Sequence, residues 1–464
     1  MRHATRRPFS EATTPASSLP PEESEVAREV CMNILKEVLT REVFPALGCT
    51  EPIAVAYAAS LAGREVSGGQ LQDVFIIVDP GVYKNGLAVA VPNTNGERGN
   101  LIAGVLGALL KRPDLKMEVL KAVTPECLAQ AKAFLQEKRA RIACDKTQTG
   151  LYIEVRLQTT VGAARAVLQG GHTNVLLIEK DGRAIFQAAK GEATGSECGY
   201  RQTLKTMSLG DLVEAAEAAD AEDLAYIQRG IEMNLAVSEA GHGLKKVGYY
   251  LDDLMAKGYL PDDVFSSTKR MTAAAADARM AGMSYPVMAS GGSGNQGVVA
   301  ILVPYNVGRH FKVSEETIVR SVALSHLLNG YVKSYTSDLS PICGCAIAAG
   351  VGAAAAIVYQ QAGKDLPKIS LAVNTIVSDL GGMLCDGAKE GCALKVVSST
   401  DAAIRAAYMA LNGHGVTAVE GFVGRTAEET IRNLSRIGHI GMAKVDDTMI
   451  EIMIEKTALP PPAE

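Results

Sequence analysis

The sequence predicts an α+β protein, in which an N-terminal α+β region with a small mixed sheet precedes a mostly helical region. Two observations support this fold class. Apolar segments around Gly, Pro and Asn turns at residues 71–92 and 150–188 indicate short strands. From about residue 208 to 440, apolar residues recur at helical spacing. A chain of 464 residues can bury more than one core.

The pattern divides the chain into four segments. They are a disordered polar tail at 1–22, an α+β domain at 23–205, a mainly helical domain at 206–456 and a short tail at 457–464. In the α+β domain, helical spacing covers 23–64 with a break at Pro45. Residues 71–92 then read as two strands around a turn, and Asp-Gly in "EKDGRA" predicts a hairpin.

Gly-rich breaks interrupt the helical domain at 289–297, 341–345, 380–392 and 412–415. We expect the functional site at these four breaks, because loops on a helical scaffold commonly carry function. The long Ala/Gly helices can pack within one chain or across a dimer, and a homodimer is our expectation.

Composition excludes several classes of function. The net charge is only −5 with both signs interspersed, which argues against nucleic-acid binding. No segment has the order of a signal peptide, so we expect a cytoplasmic protein with mostly reduced cysteines. The Ala-rich segment 342–359 has the length of a short membrane span, but a buried helix is favoured because Ala and Gly insert weakly. No membrane partner is expected.

The cysteines are the most informative residues. Cys343 and Cys345 lie in "SPICGCAIAAG", Cys385 and Cys392 in "CDGAKEGC", and Cys49 far upstream in "GCTEP". Soft thiolates near tight turns suit zinc or an iron–sulfur cluster. The alternative is that they are buried apolar side chains, which free cysteines often are.

The "GCTEP" motif places Cys49, Thr50 and Glu51 at a predicted helix N-terminus, with Thr50 as a candidate for substrate binding. One interpretation is an activated thiolate, because a helix N-terminus lowers the pKa of a nearby thiol. The other is a capping box beside a buried cysteine.

Two polar loops are candidates for substrate binding. Loop 289–297, "ASGGSGNQG", suits an anionic group through its backbone N–H groups and polar side chains, and its candidates are Ser290, Ser293, Asn295 and Gln296. Asn93 and Asn95 in "PNTNGERGN" either hold substrate or form turns. The histidines occur singly and form no catalytic or metal-binding motif.

Six motifs together carry a resemblance to a known family. They are "GCTEPIAVAYA", "VDPGVYKNG", "PNTNGERGN", "SGGSGNQG", "CGCAIAAGVGAA" and "CDGAKEGCALKV". In this order they resemble the L-cysteine desulfidase family, often labelled serine dehydratase alpha-subunit-like, over roughly residues 25–455.

The resemblance implies a [4Fe-4S] enzyme with one open iron and no pyridoxal phosphate, which converts L-cysteine to pyruvate, ammonia and hydrogen sulfide. It assigns Cys385 and Cys392 as cluster ligands, with Cys345 as the third and Cys343 as its alternative. Cys49 matches the family's proposed proton acceptor, and Glu51 is its predicted catalytic neighbour.

Three alternatives remain open at this point. An L-serine ammonia-lyase differs only in the leaving group, so the sequence does not separate it from a cysteine desulfidase. A non-enzymatic iron–sulfur or zinc redox sensor would use the cysteines but has no need of the polar loops. A pyridoxal phosphate lyase is the third.

Overall fold

A computed structural model describes residues 34–148, 150–188, 192–337 and 340–458. The predicted tail at 1–22 and residues 459–464 of the second tail lie outside the described residues. Two short strands and a six-stranded mixed sheet accompany a large helical region, so the predicted α+β class is confirmed.

The strands are β1 (Pro45–Leu47), β2 (Leu71–Val78), β3 (Ala140–Cys144), β4 (Tyr152–Thr159), β5 (Gly162–Gln169), β6 (Val175–Lys180), β7 (Arg183–Gln187) and β8 (Pro286–Met288). The helices of the first half are α1 (helical residues 34–42), α2 (Thr50–Glu65), α3 (Pro80–Asn85), α4 (Asn100–Leu110), α5 (Pro125–Gln136), α6 (Glu192–Thr206), α7 (Leu209–Glu217), α8 (Ala221–Gly241) and α9 (Val247–Ala256). The second half contains α10 (Val264–Met280), α11 (Gly294–His310), α12 (Glu315–Thr336), α13 (Ala348–Ala362), α14 (Leu366–Leu380), α15 (Cys392–Leu411), α16 (Ala427–Arg436) and α17 (Val445–Ala458). Shorter helical turns cover Pro113–Ala122 and Ile437–Gly441.

The larger sheet has the strand order β3-β2-β4-β5-β6-β7. β2 and β3 are parallel, and the remaining neighbours are antiparallel. The predicted Asp-Gly hairpin joins β6 to β7 and is confirmed. Asp181 and Gly182 have φ values of 48° and 76°, the left-handed backbone that a tight two-residue hairpin turn requires.

Helices α2 and α4 pack against each other, and α2 also lies on β4 and β5 of this sheet. Their apolar side chains form a core with the buried face of the strands. A Cβ on Gly107 of α4 would lie 2.0 Å from the carbonyl oxygen of Ala56 in α2. Glycine at this position therefore allows the two helices to approach closely.

A second core lies in the helical region, with α13 at its centre against α11, α12, α14 and α15. Residues 348–359 of α13 are all buried. Among the described residues, none of the helices combines the length and apolar character that crossing a membrane would need.

The two parts of the chain are linked by a pair of short strands that lie far apart in the sequence. Strand β1 pairs with β8, which lies in the predicted helical domain. Apolar residues of α1 also pack into the helical core rather than onto the sheet. The domain boundary at residues 205 and 206 stays a prediction.

The predicted second strand within residues 71–92 is wrong, because a helix follows β2. Asp79 accepts hydrogen bonds from the backbone N–H groups of Gly81 and Val82, at 2.8 and 3.1 Å, and Pro80 is the first helical residue. An aspartate cap followed by proline is a typical helix start. This local signal outweighed the alternating apolar pattern.

Candidate active site

One cavity is lined by residues from both parts of the chain. Its walls are the start of α2, the end of α3, the end of α10, the start of α11, the end of α12, the loop 340–345 and the segment 385–395. The lining includes Cys49, Thr50, Glu51, Lys84, Asn85, Arg279, Ser293, Asn295, Gln296, Lys333, Cys343, Cys345, Cys385, Cys392 and Lys395. Most of the side chains that the sequence predicted as a site therefore meet in one place.

A hydrogen-bonded group joins α2 to α3 in this cavity. The sulfur of Cys49 donates to Oε2 of Glu51 at 2.8 Å, and Nδ2 of Asn85 donates to Oε1 of Glu51 at 3.0 Å. The hydroxyl of Thr50 donates to the same carboxylate at 3.2 Å. Cys49 is the N-cap of α2, but its side chain makes no capping hydrogen bond to this helix. The capping-box interpretation therefore does not fit the structure, although the cysteine is buried.

The expected lowering of the Cys49 pKa is not found. Burial and the neighbouring Glu51 raise the pKa of this thiol well above its usual value. Burial also acts to raise the pKa of Glu51, but His172 and the hydrogen bonds from Cys49 and Asn85 outweigh it and hold the pKa below its ordinary value. The resting pair is thus a thiol that donates to a carboxylate.

Backbone hydrogen bonds join the two cysteine loops. The N–H of Cys343 donates to the carbonyl oxygen of Met383 at 2.8 Å, and the N–H of Cys385 donates to that of Pro341 at 2.7 Å. Gly387, with φ of 89°, brings the second loop against α3, because a Cβ there would lie 2.4 Å from the carbonyl oxygen of Lys84. The loops thereby hold the thiols of separate chain segments at one wall of the cavity.

The four thiols of these loops influence one another. A hydrogen bond from Cys345, with help from Lys395, lowers the pKa of Cys343 to about 6, while the same contact raises the pKa of Cys345. Burial raises the pKa of Cys385, and that of Cys392 to about 11. Among the residues that the structure describes, no three His, Cys, Asp or Glu side chains are arranged to hold a single metal ion.

Four basic side chains also line the cavity. Lys84 contacts Asp446 at 2.5 Å, Lys395 contacts Asp386 at 2.5 Å, and Lys333 donates to the carbonyl oxygen of Ser337 at 2.6 Å. The fourth, Arg279, is 3% exposed. Three of these cations therefore have identified partners at the cavity edge.

The start of α11 faces the cavity with three predicted residues, Ser293, Asn295 and Gln296. Ser293 is the N-cap, but its side chain does not cap the helix. The Oδ1 atom of Asn295 and the Oε1 atom of Gln296 are buried without a hydrogen-bond partner in the described part of the chain. These groups are available to a bound molecule.

Ser290 belongs to the same loop but lies behind it and is fully buried. Its hydroxyl oxygen is 2.8 Å from Nδ1 of His326 and accepts a hydrogen bond from Asn329 at 2.8 Å. Ser290 therefore fixes the loop to α12, whereas the sequence assigned it to substrate binding.

Comparison with known proteins bears on this arrangement. The model of the family described as "Serine dehydratase alpha chain" matches residues 114–451. The chain belongs to the serine dehydratase alpha chain family. This agrees with the resemblance seen in the motifs, although the family description does not name L-cysteine as a substrate.

Several relatives of this chain carry the name UPF0597. One from Geobacter sulfurreducens is 60% identical over 93% of this chain and 100% of its own length. One from Elusimicrobium minutum is 54% identical over 92% and 100%. One from Clostridium tetani is 38% identical over 91% and 98%.

Two residues that the sequence predicted as substrate-binding in this chain do not line the cavity. Asn93 and Asn95 are exposed and adopt left-handed backbone, with φ of 60° and 56°. Asn93 donates to the carbonyl oxygen of Leu120 at 3.0 Å and accepts from Ser284. Asparagine tolerates this backbone better than most residues, which accounts for both residues without a role in the cavity. The break at 412–415 also lies outside the cavity lining.

The sequence reasoning missed several cavity residues, among them Lys84, Asn85, Arg279 and Lys395. Lys84 and Asn85 lie within "VDPGVYKNG", where the Asp-Pro helix start could have indicated that they end a short helix. Arg279 follows the Ala-rich part of α10, and no motif distinguishes it from an ordinary surface arginine.

Proposed function

We propose that this chain is a [4Fe-4S]-dependent lyase that converts L-cysteine to pyruvate, ammonia and hydrogen sulfide without pyridoxal phosphate. The family supports a serine dehydratase-like lyase. One observation supports the more specific proposal of an iron–sulfur-dependent reaction with L-cysteine. Four loop cysteines and the Cys49–Glu51 pair line the same cavity.

The donor set fits an iron–sulfur cluster. Four thiols face the cavity, and a cluster with one open iron needs three of them. Thiolates around a four-iron cluster stand farther apart than ligands of one ion, because irons and sulfides lie between them. Lys395 acts to lower the pKa values of Cys343, Cys385 and Cys392, and such a cation favours thiolates.

Cys385, Cys392 and one of Cys343 and Cys345 would hold the cluster. When bound, the cluster supplies a Lewis acid at the open iron for the leaving group or carboxylate. The fourth thiol then remains as a hydrogen-bond donor within the loop.

The reaction itself removes a proton from Cα and breaks the Cβ–S bond, and the electron pair leaves with sulfur. Cys49 is the proposed proton acceptor, and Glu51 takes the thiol proton that must leave Cys49 first. Asn85 holds the carboxylate in place for this transfer. A thiolate with a raised pKa is a strong base once it forms. The aminoacrylate product then tautomerises and hydrolyses to pyruvate and ammonia.

L-Serine is the second candidate substrate, and the description of the matching family favours it. Elimination from serine uses the same proton transfer and releases water instead of sulfide. We keep L-cysteine first because the complete motif set resembles that of cysteine desulfidases.

The test is anaerobic iron and sulfide reconstitution of the full chain, followed by separate assays with L-cysteine and L-serine. Cluster absorbance, pyruvate and sulfide are all measured. A higher kcat/KM for L-cysteine supports the proposal, whereas a higher kcat/KM for L-serine makes the chain a serine ammonia-lyase. A Cys144→Ser variant is the matched control, because Cys144 lies on β3 outside the cavity.

A cluster that forms without turnover of either substrate would overturn the lyase proposal and favour a redox sensor. Pyruvate formation that requires added pyridoxal phosphate would overturn the cofactor proposal.

A further inference from the structure

Arg279 differs from every other basic residue of the cavity. It is 3% exposed, its Nε atom is buried without a hydrogen-bond partner, and among the described residues its guanidinium forms no ion pair. The acidic residue nearest in sequence, Asp277, instead accepts from the N–H of Gly248 at 2.7 Å. Burying a cation without a partner destabilises the folded protein. Proteins therefore rarely retain such a cation unless a ligand or another charge compensates it.

The guanidinium also lies against the start of α11. A Cβ on Gly294, the first residue of that helix, would lie 2.2 Å from Nε of Arg279 and 2.7 Å from its Cζ. The first N–H groups of a helix carry partial positive charge, and here the side chain of the N-cap residue Ser293 makes no capping hydrogen bond to them. A cation beside a positive helix end is unfavourable by itself. Two positive features that converge on one cavity are suited to bind an anion.

Arg279 is close to the proposed reacting groups. Its charge acts to lower the pKa of Cys49 against the larger effect of burial. Its neighbour Met280 belongs to a small apolar cluster with Cys49 and Val89, and Cys392 packs against this cluster. The anion site and the proposed proton acceptor therefore border the same space.

We propose that Arg279 and the uncapped start of α11 bind the α-carboxylate of the substrate. This inference rests on the proposed lyase function and adds the residue that selects amino acids with a free carboxylate. A planar guanidinium can hold both carboxylate oxygens and orient the Cα–H bond. The amide side chains of Asn295 and Gln296 complete the polar wall.

The first experiment compares L-alanine, which has no leaving group, with the neutral L-alaninamide as ligands of the full chain. Calorimetric binding and inhibition of the reconstituted enzyme are both measured. Wild type should bind L-alanine about 10-fold to 100-fold more tightly, the range of a charge-assisted contact. Equal affinities for the two ligands would overturn the proposal.

The second experiment uses Arg279→Gln and Arg279→Lys. Arg279→Gln should lose the preference for L-alanine and raise KM by a similar factor, and Arg279→Lys should restore part of both. Arg270→Gln is the matched control, because Arg270 lies on the same helix but pairs with Asp252 at 3.1 Å. An Arg279→Gln variant could instead keep the preference for L-alanine and shift its pH–rate profile. Arg279 would then act on the protonation of Cys49, and the proposed carboxylate site would be overturned.

These outcomes separate the two proposals. If wild type forms no product but prefers L-alanine, the lyase function fails and the carboxylate site stands. If wild type turns over and Arg279→Gln keeps the wild-type KM, the function stands and the carboxylate site fails.

Discussion

The thiol of Cys49 donates a 2.8 Å hydrogen bond to the carboxylate of Glu51 two residues later, at the start of α2. Asn85 of α3 holds the other carboxylate oxygen, and its own Oδ1 is 4.0 Å from the sulfur of Cys385. One asparagine therefore joins the proposed proton-transfer pair to a proposed cluster ligand.

Removal of the proposed base should abolish turnover but leave the cluster. We expect Cys49→Ser and Glu51→Gln to lower kcat by about 100-fold to 10,000-fold, the usual worth of general base catalysis. Iron content and visible absorbance of the reconstituted variants should equal those of wild type. Glu65→Gln, at the last residue of α2, is the control for charge loss on this helix. Loss of the cluster from Cys49→Ser would instead assign Cys49 to the ligand set.

Single cysteine variants should identify the cluster ligands. We expect Cys385→Ala and Cys392→Ala to bind little iron, since a cluster needs all of its three protein thiolates. Of Cys343→Ala and Cys345→Ala, only one should lose the cluster, and we predict that it is Cys345→Ala. Iron analysis after anaerobic reconstitution is the measurement, with Cys144→Ala as the control. A full cluster in Cys385→Ala would refute the ligand assignment.

Removal of iron should abolish the reaction reversibly. We expect a chelator under reducing, anaerobic conditions to remove both cluster absorbance and pyruvate formation, and reconstitution to restore them together. Activity that persists without iron would contradict the proposed role of the cluster.

The buried contact of His326 with Ser290 should make stability depend on pH. Burial lowers the pKa of His326 to about 3 from its ordinary 6.5. Between these values the unfolded chain binds a proton that the folded protein does not, so stability falls as pH falls from 6.5 towards 3. At one pKa unit per roughly 1.4 kcal/mol, the loss from pH 7 to 5 is about 2 kcal/mol.

Urea unfolding at pH 7 and pH 5 measures this loss. His326→Gln should remove about 2 kcal/mol of the pH-dependent difference, whereas the exposed His414→Gln should not. An identical pH dependence in His326→Gln and wild type would contradict the prediction.

The close contact of α2 with α4 should be intolerant of a methyl group. Gly107→Ala places its Cβ 2.0 Å from the carbonyl oxygen of Ala56, so the helices must separate. We expect a loss of about 1–3 kcal/mol in the free energy of unfolding. Gly68→Ala is the control, because a Cβ there meets no atom within 4 Å. Thermal unfolding of the two variants gives the comparison.

Much of the site was visible in the sequence because its residues lie in distinctive local patterns. The cysteines lie beside tight turns before buried helices, and loop 289–297 has a composition that suits few other roles. Asn93 and Asn95 show the limit of this reasoning, since a polar Asn-rich loop looks the same whether it faces a ligand or closes a turn. In the structure both residues have left-handed backbone and lie outside the cavity lining.

The sequence by itself determined the α+β class, the Asp-Gly hairpin, the family and most of the thiols and polar residues of the site. These follow from period, turn chemistry and motifs, which are properties of neighbouring residues. Only the tertiary structure decided that Glu51 meets Asn85, that Ser290 supports a loop and that Nε of Arg279 is buried without a hydrogen-bond partner among the described residues. Such facts depend on contacts between distant segments, because burial and pairing are set by what packs against a side chain and not by its neighbours in the chain.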